Sequence, residues 1–248
     1  MKPTPPSFAQ GVWTLARNEL HRFYGTALAY LLTAVFLGVS GFFFVLTLKA
    51  SQDANMMRYV FSNTAVILLL LSPLIAMGLI TEERTQKTLP LLLASPVTRV
   101  QIVLGKYLAA LVLLAGLLLS TLHYPLFLMG AGNPDLWPIL TGYAGLFLLG
   151  SVFLAIGLWM SCLAKRPLVA ASGAFGLSLV WWLLGAGPQL SDGGGNGFWA
   201  VVRYLSLGEH QDSFARGWFS LSDTLFYCSA IGILVALSVA SFERQDLL

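Results

Sequence analysis

The sequence predicts an all-α polytopic membrane protein with six transmembrane helices, and three observations lead there. Charged residues make up 10% of the 248-residue chain and hydrophobic residues 57%, whereas a soluble domain carries about 25% charged residues. The mean hydropathy of +0.77 is spread along the whole length rather than gathered in one core segment. The apolar residues also fall in unbroken runs instead of alternating, which selects helices over barrel strands.

A helix needs about 20 apolar residues to cross a hydrocarbon core of about 30 Å. Runs of that length are read at 26–48, 59–80, 104–128, 139–163, 168–187 and 224–242. Lys106 is the single charge within them, close enough to an end to snorkel into the interface. Placing the N-terminus inside puts Lys2, Arg17, Arg22, Arg84, Lys87, Arg99, Lys106, Lys165, Arg166 and Arg244 on the cytoplasmic side. Only Lys49, Arg58, Arg203 and Arg216 remain outside. That bias of cations predicts that both termini are cytoplasmic.

Ahead of the first span, residues 8–24 read as an amphipathic surface helix. At about 100° per residue, Phe8, Val12, Trp13, Leu15, Ala16, Leu20, Phe23 and Tyr24 share one side. Gln10, Thr14, Arg17, Asn18, His21 and Arg22 share the other, and Glu19 alone falls inside the apolar arc. Such a helix lies in the inner interface, either as a surface anchor or as a mechanical elbow into the first span. The N-terminal stretch lacks a short apolar region with a small-residue cleavage site, so it is not read as a signal peptide.

Several classes drop out. A net charge of +3, dispersed along the chain, gives no basic face for nucleic acid. No catalytic residue and no metal site is expected, since no H-E-x-x-H occurs and His123 has no Asp or Glu at membrane depth. Gly105-Lys106-Tyr107 resembles a phosphate loop only superficially, because Val100 stands where the upstream Gly belongs and Tyr107 where Ser or Thr does. Asp192-Gly-Gly-Gly reads as a flexible linker. Cys162 and Cys228 read as buried small apolar side chains at opposite faces of the bilayer, too far apart to pair.

The most informative stretch is the predicted internal loop, residues 81–103. Glu82 and Glu83 close the second span, with Arg84 and Lys87 within a turn, at spacings suited to pairing along one helix. Thr88 to Ala94 then forms a short apolar helix, with Thr88 as its cap and Pro90 in its first turn. Ser95 and Pro96 read as N-cap and first residue of the helix that becomes the third span. Leu89, Leu91, Leu92 and Leu93 are too few to span and too apolar for water, so they call for a partner surface.

The segment EERTQKTLPLLLASPVTRVQIVLGKY resembles the type-2 ABC transporter permeases, in which Glu-Glu-Arg precedes T-L-x-L-L-L-x-S-P and then G-K. The resemblance implies that 81–103 holds a cytoplasmic coupling helix between the second and third spans, docking on a separate ATPase. The coupling residues would be Glu82, Glu83, Arg84, Thr88, Leu89, Leu92, Ser95 and Pro96, and helix 8–24 would be the family's elbow helix. Residues 204–244 resemble the end of permeases related to the gliding-motility-associated ABC transporter. The residues that match are Leu205, Ser206, His210, Ser213, Phe214, Arg216, Gly217, Asp223, Phe226, Glu243 and Arg244.

Further expectations follow from that resemblance. The chain would be the permease subunit of an ABC-2 exporter, without enzymatic activity or cofactor of its own. ATP and Mg would be bound by two copies of a partner ATPase. The permease would pair as a homodimer or with a paralogue in the bacterial cytoplasmic membrane and work by alternating access. A membrane anchor that recruits an ATPase without transporting anything is the alternative. Small residues recur in the fifth span at Ala170, Ala174 and Ser178 and at Ser172 and Gly176, as close helix packing in lipid requires, and the family places a dimer interface there. The external segment 188–223 supplies His210, Phe214 and Arg216 as gate candidates. Within it Asp212 is read as the cap of a short turn ended by Gly217, and Ser220 to Asp223 as a capping box for the last span.

Overall fold

The computed structural model describes residues 7–50, 56–131, 135–186, 201–202 and 204–245. In chain order the helices are α1 (Phe8–Tyr24), α2 (Ala27–Ala50), α3 (Met56–Ala76), α4 (Gly78–Thr85), α5 (Leu89–Leu93) and α6 (Arg99–Ser120). They continue with α7 (His123–Ala131), α8 (Leu136–Leu163), α9 (Pro167–Leu183), α10 (Leu207–Ala215) and α11 (Leu221–Gln245). The protein is an all-α polytopic membrane protein. Among the described residues five stretches are long and apolar enough to cross a membrane: Ala27–Lys49, Met56–Thr85, Arg99–Gly130, Leu136–Leu163 and Leu221–Arg244. The sixth, α9, is shorter, but the 3-10 turn Leu184–Ala186 extends it to a reach of about 30 Å.

Helix α8 is the axis of the bundle, packed by α3, α6, α9, α10 and α11. Leu149, Val152, Phe153, Leu154, Ala155, Ile156 and Leu158 are all buried, so this helix is apolar on every side, as a central position requires. Gly157 sets the closest approach: a Cβ there would stand 2.3 Å from the Cβ of Ala76 on α3. By contrast α2 and α11 lie at the periphery, with only 28% of their apolar windows buried within the chain.

Two of the expected spans are broken helices. Pro73 inside α3 has no N–H to give to Leu69, and the helix breaks at Met77 before resuming as α4. Ser161 of α8 repairs the break. Its hydroxyl accepts from the N–H groups of Ile80 (3.0 Å) and Thr81 (3.2 Å) and donates to the Met77 carbonyl (3.1 Å). The third span begins earlier than read from the sequence, at Arg99, and breaks at Thr121 between α6 and α7. Ser95 and Pro96 do not start it: Thr98 is the cap, in a reciprocal capping box with Gln101. At the break, His123 bonds the Ser120 carbonyl through Nδ1 (2.7 Å), a local partner of the kind a polar ring at this depth needs.

Helix α1 matches the expected 8–24, started by a Ser7–Gln10 capping box. Cys162 is buried, but Cys228 is exposed, and both are free thiols. The Gly-rich stretch around Asp192, along with Lys2 and Arg203, lies outside the described residues.

Candidate functional site

The loop 81–103 folds as a tight turn that leads from α4 into α5. Helix α4 ends with Lys87 in the left-handed region (φ 57°). The Thr88 N–H reaches the Glu83 carbonyl (2.9 Å) and the Lys87 N–H reaches the Arg84 carbonyl (3.1 Å). These are the two bonds of a Schellman motif, which a Gly usually completes. Thr88 precedes α5 without a side-chain cap; its hydroxyl lies 3.4 Å from the Glu83 carbonyl. Ser95 closes α5 by donating to the Leu92 carbonyl (2.5 Å), and Pro96 is exposed. Leu89 and Leu92 turn back onto the core, whereas Leu91 is 74% exposed.

The charges of this region do not pair along one helix; they converge in a buried cluster. Lys106 of α6 does not snorkel to the interface: it is 2% exposed. Its ammonium lies 2.7 Å from Glu83 Oε1 and 3.1 Å from Glu19 Oε2. Arg22 holds the other oxygen of Glu19 at 2.5 Å and reaches Glu82 Oε2 at 3.3 Å. Arg84 donates to the Ala164 carbonyl at the end of α8 (3.0 Å). Glu19 therefore sits in the apolar arc of α1 because that arc faces Lys106. The second oxygen of Glu83 is buried without a hydrogen-bond partner among the described residues.

Close approach of α1 to α6 makes the cluster possible. A Cβ on Gly105 would stand 2.7 Å from Leu15 Cβ and 3.0 Å from the Val12 carbonyl, so only a glycine lets the two backbones meet here. Gln101 adds a tie, donating from Nε2 to the Phe8 carbonyl (3.3 Å) while its Oε1 serves the capping box. The Gly105-Lys106 pair is thus a packing and ion-pairing element of the elbow contact.

At the opposite end of the bundle α10 is a regular helix through Ala215, with Asp212 inside it rather than at its cap, and Gly217 (φ 87°) follows. Arg58 of α3 grips Asp212 through Nε and Nη2, both at 2.9 Å, and Arg216 adds bonds of 2.9 and 2.5 Å. His210 is buried, with Nδ1 2.7 Å from Asp223 Oδ1 and Nε2 2.7 Å from the Tyr204 carbonyl. Its ring stacks on Phe226 at 4.2 Å. Phe214 belongs to the core. The Asp223 N–H faces the Ser220 hydroxyl at 3.5 Å, but the carboxylate serves His210, so the capping box is not reciprocal. Arg58 and Asp223 were not singled out as partners of these residues, because nothing local marks an ion pair 154 positions apart.

In α9, Ala170, Ala174 and Ser178 are fully buried within this chain. Ser172 is exposed, and nothing lies within 4 Å of a Cβ built on Gly176. The chain also contains Gly38-Val39-Ser40-Gly41, a G-x-S-G spacing found in some intramembrane hydrolases that sequence reading passed over. Ser40 shares a hydrogen bond with Tyr124 (2.8 Å) and lies 3.3 Å from the Leu37 carbonyl, and His123 is committed to Ser120. That arrangement holds α2 against α7 and supplies no general base.

No curated protein matches the chain closely. Residues 42–196, well over half of the chain, match the family described as ABC-2 family transporter protein. That stretch takes in the loop, α5 and the Gly105-Lys106 pair, and families of this type supply the membrane subunit that works with an ABC ATPase. The chain belongs to the ABC-2 family of transporter proteins.

Proposed function

We propose that the chain is the permease subunit of an exporter in the bacterial cytoplasmic membrane. Two copies, or one copy and a paralogue, would assemble with two copies of an ATPase that binds ATP and Mg. The observation that carries this reading is the buried Lys106, paired with Glu83 on the helix that leads into α5. It ties α1, α4 and α6 into one unit, and α4 is joined to α5 by a rigid hydrogen-bonded turn. A push on Leu91 would therefore move three helix ends together instead of bending a loop. Differential affinity of ATP for one state of the ATPase pair then shifts the membrane helices between inward and outward access.

The residues of the C-terminal motif support the branch related to the gliding-motility-associated permeases, since His210 with Asp223 and Arg216 with Asp212 form two pairings on and beside α10. These pairings, with Arg58 on Asp212, join α10 to α3 and α11, where an outer gate would be braced.

The test uses the complex with its ATPase in vesicles. Leu91→Asp is expected to abolish ATPase association, and Lys106→Met to leave association intact while uncoupling hydrolysis from flux. Unchanged association in Leu91→Asp overturns the docking assignment. Wild-type association and hydrolysis with no flux for any substrate class tested would instead make the chain an anchor for the ATPase.

A further inference from the structure

At the end of the bundle far from α1 and α5, a recess of about 450 Å³ is lined by Arg58, Trp182, Ser206, Gly208, Asp212 and Arg216, among others. Hydrogen-bond donors dominate it, from three independent sources. The first is the start of α10. Ser206 is its N-cap but makes no side-chain cap bond, so the first-turn amides lack the partner that such a residue normally provides. The helix dipole adds positive character at the same point.

The second source is the Ser206 hydroxyl itself. The residue is fully buried and its Oγ has no hydrogen-bond partner among the described residues. The oxygen is wedged at the floor of the recess, where a Cβ on Gly185 would come within 2.4 Å of it and one on Gly208 within 3.7 Å. A buried polar atom of this kind calls for an explanation, and a ligand that accepts its proton is one.

The third source is the pair of guanidinium groups. Arg58 and Arg216 converge on the single carboxylate of Asp212, each using only Nε and Nη2. With Glu209 on the same recess the formal charges balance, so the attraction for an anion comes from directed donors rather than net charge, and among the described residues both Nη1 groups keep theirs. Glu209 stands on the same recess without an ion-pair partner among the described residues. Trp182 and Leu183 form an apolar wall at the end of α9.

We propose that this recess binds a phosphate group carried on an amphipathic molecule. Donors from a hydroxyl, helix amides and two arginines approach from several directions, which suits the tetrahedral oxygens of phosphate. The apolar part of the ligand lies along Trp182 and Leu183, and Glu209 receives an attached amine where one is present. A membrane phospholipid headgroup and a free phosphate share this chemistry. The inference goes beyond the permease reading and stands whether or not anything crosses the membrane.

The test uses the full chain purified in a phosphate-free maltoside detergent, followed by calorimetric titration and thermal unfolding. The probes are inorganic phosphate, dihexanoyl phosphatidylethanolamine and, as a control, dihexanoylglycerol. The phospholipid is expected to bind and raise the unfolding temperature, and the phosphate-free control to do neither. Binding of inorganic phosphate alone would identify a free anion as the ligand and overturn the amphipathic carrier; binding of phospholipid, with or without the free anion, supports it. Arg216→Gln should weaken binding about tenfold, as the loss of one charge-assisted hydrogen bond implies. Gly208→Leu, which points into the recess without meeting backbone, should abolish it. Ser206→Ala should weaken binding without lowering the ligand-free unfolding temperature, since it removes a hydroxyl that has no partner among the described residues. Absence of binding by both phosphate probes, binding of the control equal to the phospholipid, or equal affinities in wild type and all three variants overturns the proposal.

Discussion

Lys106 Nζ stands 2.7 Å from Glu83 Oε1 with only 3% of its side chain exposed. Its second carboxylate, from Glu19, comes from a helix 87 positions away in sequence. Burying a charge is tolerable only when its partners are buried with it, and removing one partner of such a pair costs about 3–5 kcal/mol. Lys106→Met is therefore expected to lower the thermal unfolding temperature in detergent markedly. Adding Glu19→Leu and Glu83→Leu should recover much of the loss, because the stranded carboxylates go with it. A triple variant less stable than Lys106→Met would refute the buried-pair account.

Gly105 is where α1 and α6 meet, with a Cβ there only 2.7 Å from Leu15 Cβ. Gly105→Val should cost about 1–3 kcal/mol through overpacking and loosen α1. Faster proteolytic cleavage within α1, alongside unchanged cleavage in α11, is the expected readout. Adding Leu15→Ala should not restore the protection, because alanine keeps the Cβ that the new side chain meets and the Val12 carbonyl stays in place.

Lys87 holds a left-handed conformation that costs a non-glycine residue about 1 kcal/mol or more. Lys87→Gly should accordingly raise stability by up to about 1 kcal/mol, discounted by the greater freedom of glycine in the unfolded chain. Lys87→Val should do the reverse. Chemical denaturation of the three proteins side by side orders them as Gly, Lys, Val; any other order removes the strain argument.

The two arginines on Asp212 differ in reach. Arg216 sits four residues away on the same helix with 57% of its side chain exposed, so Arg216→Gln should change stability by under about 1 kcal/mol. Arg58 joins α3 to α10 through two hydrogen bonds, and Arg58→Gln should cost more than Arg216→Gln. Unfolding temperatures of the two variants, measured at low and high salt, give the comparison.

The helices and most of their limits were legible because apolar runs of spanning length carry their own signal, and α1 matched its predicted range through its periodicity. The break at Met77 had a local signal in Pro73 that went unused, whereas its repair by Ser161 and the break at Thr121, whose carbonyl accepts from the Tyr143 hydroxyl, involve partners far along the chain. The start of α6 was open to reading. Thr98-Arg-Val-Gln101 has capping-box spacing, but Ser95-Pro96 offers a rival start, which the structure spends on closing α5 instead. Glu19 was the clearest clue to the cluster, an acid on the wrong side of an amphipathic helix. Its meaning needed Lys106, whose position within an apolar run suggested snorkelling when taken alone. The leucines of α5 called for a partner surface as a group; only their packing separates Leu91, which faces out, from Leu89 and Leu92, which face in.

Glu82, Glu83 and Arg84 are engaged within the chain while Lys87 stays exposed, so ionic strength enters association with an ATPase mainly through Lys87. Glu83 is spent on Lys106, Glu82 on Arg22 and Arg84 on a backbone carbonyl, while Leu91 heads the outward face of α5. At physiological salt, interactions between exposed charges more than about 8 Å apart are largely screened, and buried pairs much less so. A surface led by an aliphatic side chain should bind with a shallow salt dependence and a negative heat-capacity change, and its partner should offer an apolar cleft rather than a charged one.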